Sequence, residues 1–148
     1  MIEKWREWIA QFDAAVAADD FESLRSFLHD DVTYTVSGAP FACHLSGADA
    51  VLAGFRKSIH GFDRAFDERA WYGVGVRSFD PDTICARAMG VYRMGDKPLL
   101  HFSAPSVWQF HEGTIIRMHD CYDTAEHDVQ RAFEWLAQYA PDLDASYV

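Results

Sequence analysis

The sequence predicts an α+β fold in which helices and strands occupy different parts of the chain. Up to about residue 60, apolar side chains recur mainly at spacings of three and four, which is typical of amphipathic helices. From residue 67 to residue 123 they recur at every second position, which predicts long β-strands. Short connections join these strands, so they are expected to form an antiparallel meander. A helical pattern returns after residue 124.

Length and composition predict one globular domain over residues 1–148, with residues 141–148 as a loose tail. The chain has 148 residues, of which 49% are hydrophobic and 15% aromatic. Its net charge of −10 offers nothing to neutralise phosphates, so neither nucleic acid nor a membrane surface is an expected partner. No apolar run reaches membrane-span length and the N-terminus lacks a signal-peptide apolar region, which favours a cytoplasmic protein.

The cysteines and histidines do not have the spacing of a metal site. Cys43, Cys85 and Cys121 are far apart and odd in number, which favours free thiols in a reducing compartment over disulfides. Neither Cys-x-x-Cys nor His-Glu-x-x-His occurs, so we expect no metal. No motif selects a cofactor, and none is expected.

Three helices are predicted in the N-terminal half. The first spans residues 2–18, and its apolar stripe consists of Ile2, Trp5, Ile9, Phe12 and Val16. A capping-box pattern from Asp19 to Glu22 starts a short second helix, which is expected to pack antiparallel to the first. A similar pattern from Ser46 to Asp49 starts a third helix, which runs to about His60 and turns Phe55 inward.

Five strands are predicted, at residues 31–37, 70–79, 83–94, 98–110 and 114–123, with His111, Glu112 and Gly113 as the hairpin turn between the last two. In the first, Val32, Tyr34 and Val36 share one face, with Tyr34 directed inward. Residues 38–45 are predicted to be a loop. Pro105 interrupts the fourth strand, which predicts a bulge or an edge position there and leaves open which face His101 occupies. The last helix is expected from Ala125 to Ala140, before Pro141.

The last strand carries a carboxylate on its more apolar face. Met118, Asp120 and Tyr122 alternate with polar residues, and so are expected to point inward together. A buried unpaired carboxylate costs several kcal/mol, so Asp120 is either a satisfied structural group or an acid/base with a shifted pKa. Both hypotheses remain open at this point.

The order of elements, together with segments 24–32, 46–51 and 113–123, resembles the SnoaL-like polyketide cyclases of the nuclear-transport-factor-2-like superfamily. The specific cues are Leu24-x-x-Phe27-Leu28-x-Asp30-Asp31-Val32, Ser46-Gly47-x-x-Ala50-Val51 and Gly113-x-Ile115-x-Arg117-x-His119-Asp120-x-Tyr122-Asp123. The resemblance implies a cone-shaped, strongly curved antiparallel sheet wrapped around the three helices of the N-terminal half, plus a C-terminal helix. It also implies a deep pocket inside the cone.

The resemblance implies site residues at individual positions of this sequence. Asp120 matches the catalytic aspartate on the last strand of the cyclases and of the related epoxide hydrolases. Tyr34 matches the hydrolase tyrosine, whereas Val36 stands where these enzymes have an asparagine. Arg87 matches their arginine, but Met89 replaces the aspartate two positions on.

Two further enzymes of the superfamily are relevant. The dehydratases use histidines and tyrosines, a part that His101 could play. The ketosteroid isomerases place their base where this chain has Gly38, Ala39 and Pro40.

The predicted function is a cofactor-independent lyase, isomerase or cyclase for a small, mostly apolar carbonyl or polyketide-like compound. The expected catalytic residues are Asp120, His101 and Tyr34, in a pocket of roughly 300 Å³ or more. The expected substrate-binding residues are Arg87, Trp5, Phe12, Phe55, Met89, Met118 and Tyr122. The alternative is a non-catalytic ligand-binding or dimerisation module, in which Asp120 is paired with Arg87 or a backbone amide.

A homodimer is expected in either case. Val74, Val76 and Trp108 are predicted to form an apolar surface on the outer face of the sheet.

Overall fold

A computed structural model describes residues 1–39 and 41–148. Pro40, within the predicted loop, lies outside the described residues. The helices are α1 (Ile2–Ala18), a 3₁₀-helix (Phe21–Phe27), α2 (Ala48–Gly61), a 3₁₀ turn (Asp63–Ala65) and α3 (His127–Tyr139). The strands are β1 (Leu28–Ser37), β2 (Cys43–Ser46), β3 (Glu68–Asp80), β4 (Thr83–Arg93), β5 (Leu100–His111) and β6 (Thr114–Cys121).

The six strands form one curved sheet in the order β2-β1-β6-β5-β4-β3. The predicted antiparallel meander from β3 to β6 is confirmed. The sheet is nonetheless mixed, because β1 pairs with β6 in parallel and brings Val36 opposite Asp120. Strand β2, which pairs with β1, lies in the segment predicted to be a loop. Four residues are too short for a period-two pattern to be recognised in the sequence.

The turn between β5 and β6 is a tight hairpin. Glu112 and Gly113 both have positive φ, 48° and 84°. Two such residues make the tight hairpin whose twist suits the flanking strands. Next to the turn the pairing shifts register between Gln109 and Phe110, so the inward residue of β6 here is Ile115 and not Ile116, the one that strict alternation with Met118 predicts. From Met118 onward the predicted inward face is the observed one.

Pro105 occupies an edge position, one of the two arrangements that the sequence predicted. Pairing of β5 with β6 begins at Ser106, so the preceding half of β5 has no neighbouring strand on that side. The backbone N–H of Ser103 points to this side and donates to Asp128 Oδ2 of α3 at 2.9 Å. Because alternate residues of a strand point their N–H groups the same way, the missing N–H of Pro105 falls at the same free edge.

The helices of the N-terminal half pack against the concave side of the sheet. Helix α1 begins and ends as predicted, but the second helix is a 3₁₀-helix and Leu28 belongs to β1. Neither predicted capping box forms, since neither helix has a side-chain cap. Asp19 is the left-handed residue that ends α1, and its carboxylate contacts His60 and Arg64 instead.

The prediction of a loose C-terminal tail is wrong. Ala145 is buried, and Lys57 on α2 bonds to Asp144 at 3.0 Å and also to Ser146. Tyr147 packs against the hydrophobic core. The tail lacks helical or strand periodicity, so the sequence gives no sign that it is docked.

Candidate functional site

A cavity of about 200 Å³ lies between the helices and the sheet. It is smaller than predicted, because aromatic side chains fill much of the cone. Five predicted substrate-binding residues do line it: Trp5, Phe12, Phe55, Met118 and Tyr122. Helix α1 supplies the first two, α2 the third, and β6 with its continuation the last two. The ring centroids of Phe12 and Phe55 are 5.3 Å apart, and those of Trp5 and Trp108 are 5.5 Å apart.

Asp120 and Tyr34 meet on the wall of this cavity, as predicted. The Tyr34 hydroxyl donates to Asp120 Oδ2 at 2.6 Å. The parallel pairing of β1 with β6 creates this contact, since it places Tyr34 beside Met118 and Val36 beside Asp120. Inward residues of both strands therefore point into the same space.

Tyr147, which the sequence did not suggest, completes this group from the C-terminal tail. Its phenol oxygen is 3.3 Å from that of Tyr34, and their ring centroids are 5.4 Å apart. A tyrosine hydroxyl has one proton. Since Tyr34 uses its proton on ionised Asp120 at the shorter distance, Tyr147 must be the donor in the second contact.

Burial raises the pKa of the Asp120 carboxyl above its ordinary value. Hydrogen bonds from Ser106 and Tyr34, and the nearby His119, oppose this rise without cancelling it. Burial, together with the charge of Asp120, raises the pKa of Tyr34 well above the usual value, so this tyrosine keeps its proton. Asp120 thus has the environment of a carboxyl group that can gain and lose a proton.

Tyr122 also lines the cavity. Its backbone N–H bonds to the Ser37 carbonyl at 2.8 Å, which extends the pairing of β1 with β6 and fixes its position. Burial, and the charges of Tyr147 and Asp120, raise its pKa well above the usual value. Within residues 1–39 and 41–148 its hydroxyl has no hydrogen-bond partner, so it can donate to a ligand.

Three predicted site residues lie outside the cavity. His101 is exposed, because on β5 it is the even-numbered residues, such as Phe102 and Ala104, that face inward. On β4 the inward residues include Ala88 and Tyr92, which places Arg87 and Met89 on the opposite face. His101, Arg87 and Met89 are therefore wrong as pocket residues. Conversely, Trp108 lines the cavity and is not part of the outer surface.

Arg87 joins the sheet to α3. It donates to the Ser103 hydroxyl from Nε at 3.1 Å and from one terminal nitrogen at 2.8 Å. Ser103 in turn donates to Asp128 Oδ2 at 2.7 Å. The pair between Arg87 and Asp120, one of the two pairings that the non-catalytic alternative allowed beside a backbone amide, is thus not formed.

A second polar group also lines the cavity, and sequence reasoning missed it. Arg69 Nε donates to Asp63 Oδ1 at 2.5 Å, and the Tyr92 hydroxyl donates to the same oxygen at 3.2 Å. Burial raises the pKa of Asp63, while Arg69 and Tyr92 oppose the rise. The sequence offered no signal for it, since Arg69 lies just before the predicted strand 70–79 and Asp63 lies outside every predicted element.

Residues 1–39 and 41–148 contain neither a metal-binding cluster nor a helix that could cross a membrane. No group of three or more His, Cys, Asp or Glu side chains is arranged to hold a metal ion. No described helix has the length and apolar character needed to cross a membrane.

The model of the SnoaL-like domain family matches residues 9–118 of the chain. This match begins within α1 and ends at Met118 on β6. No protein of curated function matches the sequence.

Solved structures share the fold at low sequence identity. An NTF2-like protein of unknown function from Burkholderia pseudomallei is 17% identical, with a TM-score of 0.62 over 82% of this chain and 92% of that one. An LEH-like epoxide hydrolase from M. tuberculosis is 16% identical, with a TM-score of 0.59 over 88% and 92%. A putative polyketide cyclase from Xanthomonas campestris pv. campestris is 17% identical, with a TM-score of 0.54 over 92% and 96%. These likenesses show that the fold is NTF2-like.

Proposed function

The chain belongs to the SnoaL-like domain family, and from this membership we propose that it is a cofactor-independent lyase, isomerase or cyclase for a small carbonyl or polyketide-like compound. One observation carries the proposal. The half-buried Asp120 carboxylate, which accepts a hydrogen bond from Tyr34 at 2.6 Å, lies on the wall of an aromatic cavity. Similar folds in a putative polyketide cyclase and an epoxide hydrolase are compatible with it.

The proposed chemistry is proton transfer next to a carbonyl. Asp120 takes a proton from the carbon beside the substrate carbonyl, and the electron pair of that C–H bond moves toward the carbonyl oxygen as an enolate. The Tyr122 hydroxyl donates to this oxygen and stabilises its charge. Asp120 then returns the proton at another position or to a departing oxygen. Tyr34 and Tyr147 keep the carboxylate oriented.

A raised pKa suits this role. A carboxyl whose pKa lies closer to neutral is a stronger base than an ordinary one, and still releases its proton readily. The surrounding aromatic side chains exclude water, which strengthens each hydrogen bond made to the enolate.

A carboxyl ¹³C NMR titration of Asp120 tests the proposal, with Asp120→Asn for assignment. We expect a pKa above the ordinary carboxyl value. Tyr34→Phe removes a hydrogen bond that favours the ionised form, so the pKa should rise further. Tyr122→Phe serves as the matched control, since Tyr122 makes no hydrogen bond to Asp120 in the described residues.

A pKa below the ordinary value would contradict the catalytic proposal. It would identify Asp120 as a structural carboxylate and favour the non-catalytic binding module. If Tyr34→Phe left the pKa of Asp120 unchanged, the hydrogen bond that carries the proposal would have no influence on the carboxyl group.

We also propose that the chain forms a homodimer, through the edge strand β3. This strand exposes Tyr72, Val74 and Phe79, with accessible fractions of 55%, 60% and 80%. Edge strands of monomeric proteins are usually protected by charged side chains. Arg77 is the only charged residue in segment 71–79. Val76 is partly buried against the core, so it contributes less than predicted.

A further inference from the structure

The cluster of Asp63, Arg69 and Tyr92 is a second polar site in the cavity. Arg69 and Tyr92 are register partners on β3 and β4, and Asp63 comes from the 3₁₀ turn before β3. All three side chains line the cavity. Only 19% of the Arg69 side chain and 10% of the Asp63 side chain are accessible.

The sheet register sets this cluster apart from Asp120. Tyr92 pairs with Leu100 on β5, whereas Asp120 pairs with Ser106, six positions farther along the same strand. At about 3.3 Å per residue, the two sites are roughly 20 Å apart along the strand. Sheet curvature and inward-pointing side chains shorten the path through the cavity. Burial is the main cause of the raised pKa of Tyr122 and Tyr147, and the charges of both Asp120 and Asp63 add to it, as expected for tyrosines between the two sites.

Arg69 keeps most of its hydrogen-bonding capacity. A guanidinium group has five N–H donors, and Asp63 receives one of them, from Nε. The two terminal nitrogens donate no hydrogen bond to any residue in 1–39 or 41–148. Asp63 fixes the plane of the guanidinium, and the Tyr92 proton partly offsets the negative charge of Asp63. The remaining fork of donors suits the two oxygens of a carboxylate.

We infer that Arg69 binds a ligand carboxylate, so that the cavity takes a flat, mostly apolar acid with its carboxylate at Arg69 and its other end toward Asp120. The aromatic walls match the apolar body of such a compound. The reaction of this acid at Asp120 rests on the proposed function, but its binding at Arg69 does not.

Isothermal titration calorimetry with trans-cinnamate and trans-cinnamamide tests this inference. The two compounds have the same shape, and only the first is an anion. We expect the protein to bind cinnamate about tenfold more tightly, as a charge-assisted hydrogen-bonded pair predicts. Arg69→Gln should abolish this preference. Arg87→Gln, which changes an arginine outside the cavity, should keep it.

A second variant keeps the test valid if Arg69→Gln fails to fold. Arg69→Gln leaves Asp63 buried without its cation, so the double variant Asp63→Asn/Arg69→Gln removes both charges together. If either folded variant retains the cinnamate preference, the inference is overturned. It is equally overturned if the unmodified protein fails to bind cinnamate or binds the amide as tightly.

Asp120→Asn separates the inference from the proposed function. This variant should retain the cinnamate preference, because Asp120 does not belong to the cluster of Asp63, Arg69 and Tyr92. An Asp120 pKa below the ordinary value, together with a cinnamate preference that depends on Arg69, would contradict the catalytic proposal and support carboxylate binding at Arg69. A raised Asp120 pKa without a cinnamate preference would support the catalytic proposal and contradict carboxylate binding at Arg69.

Discussion

At the scale of single residues, Asp120 links function to stability. A carboxyl whose pKa is raised by folding binds its proton more tightly in the folded than in the unfolded protein. Its contribution to stability is therefore fully present below the pKa of the unfolded chain, near 3.9, and is lost as the pH rises through the folded pKa. Above the folded pKa, the ionised group lowers the stability of the fold.

Asp120→Asn should therefore make the protein more stable at pH 7. The amide still accepts the Tyr34 hydrogen bond but cannot ionise, so we expect a gain of roughly 0.5–2 kcal/mol in the free energy of unfolding. The gain should shrink as the pH falls below the pKa of the unfolded chain, since Asp120 is then protonated in both states. Urea denaturation at several pH values measures it, and a gain that grew toward low pH would contradict the raised pKa.

Only part of the site could be predicted from the sequence, because alternation fixes the direction of a side chain only on an uninterrupted strand. Asp120 and Tyr34 were predicted because alternation on an uninterrupted strand fixes which face each side chain occupies. The phase of His101 could not be fixed across Pro105, and it lies on the outer face. Arg87 and Met89 came from the resemblance, whose positions do not hold on β4 of this chain.

At the scale of elements, contacts between distant segments account for what the sequence did not reveal. Tyr147 reaches Tyr34 only because the tail packs along α2. Arg69 meets Asp63 only because the 3₁₀ turn folds back on β3. Periodicity describes each element separately, so it predicted the helices and the meander but not these contacts between elements.

The docking of the tail on α2 depends on Gly61. A Cβ atom here would lie closer to the Asp144 carbonyl oxygen than van der Waals contact allows. Gly61→Ala should therefore displace the tail and destabilise the protein by about 1–3 kcal/mol, as overpacking does. Thermal unfolding measures the loss, and NMR signals of the Tyr147 ring report the displacement.

Gly73→Ala is the matched control for this prediction. A Cβ atom on Gly73 meets nothing within 4 Å, so this change should have little effect on the melting temperature. If Gly61→Ala and Gly73→Ala unfolded at the same temperature, and the Tyr147 signals did not move, the tail would not be held by this close approach.

At the scale of the whole molecule, the sheet closes around its helices on one side and ends in an open edge on the other. Strand β2 is the short edge beyond β1, whereas β3 is a 13-residue edge with apolar side chains exposed over its second half. Unpaired backbone groups on a long, weakly charged edge are a template for pairing with another chain. A two-fold axis beside β3 would pair this edge with its own copy and leave the cavities of both protomers intact.

The proposed dimer therefore predicts a specific sensitivity to charge on β3. Val74→Lys or Phe79→Lys should convert the protein to a monomer of half the mass in size-exclusion chromatography with light scattering, because a lysine on each copy brings like charges together at the axis. Leu99→Lys, at an apolar residue that is 47% exposed in the loop before β5, should leave the mass unchanged. The unmodified protein running as a monomer well above micromolar concentration would contradict the dimer. An equal effect of Leu99→Lys would show that β3 is not its interface.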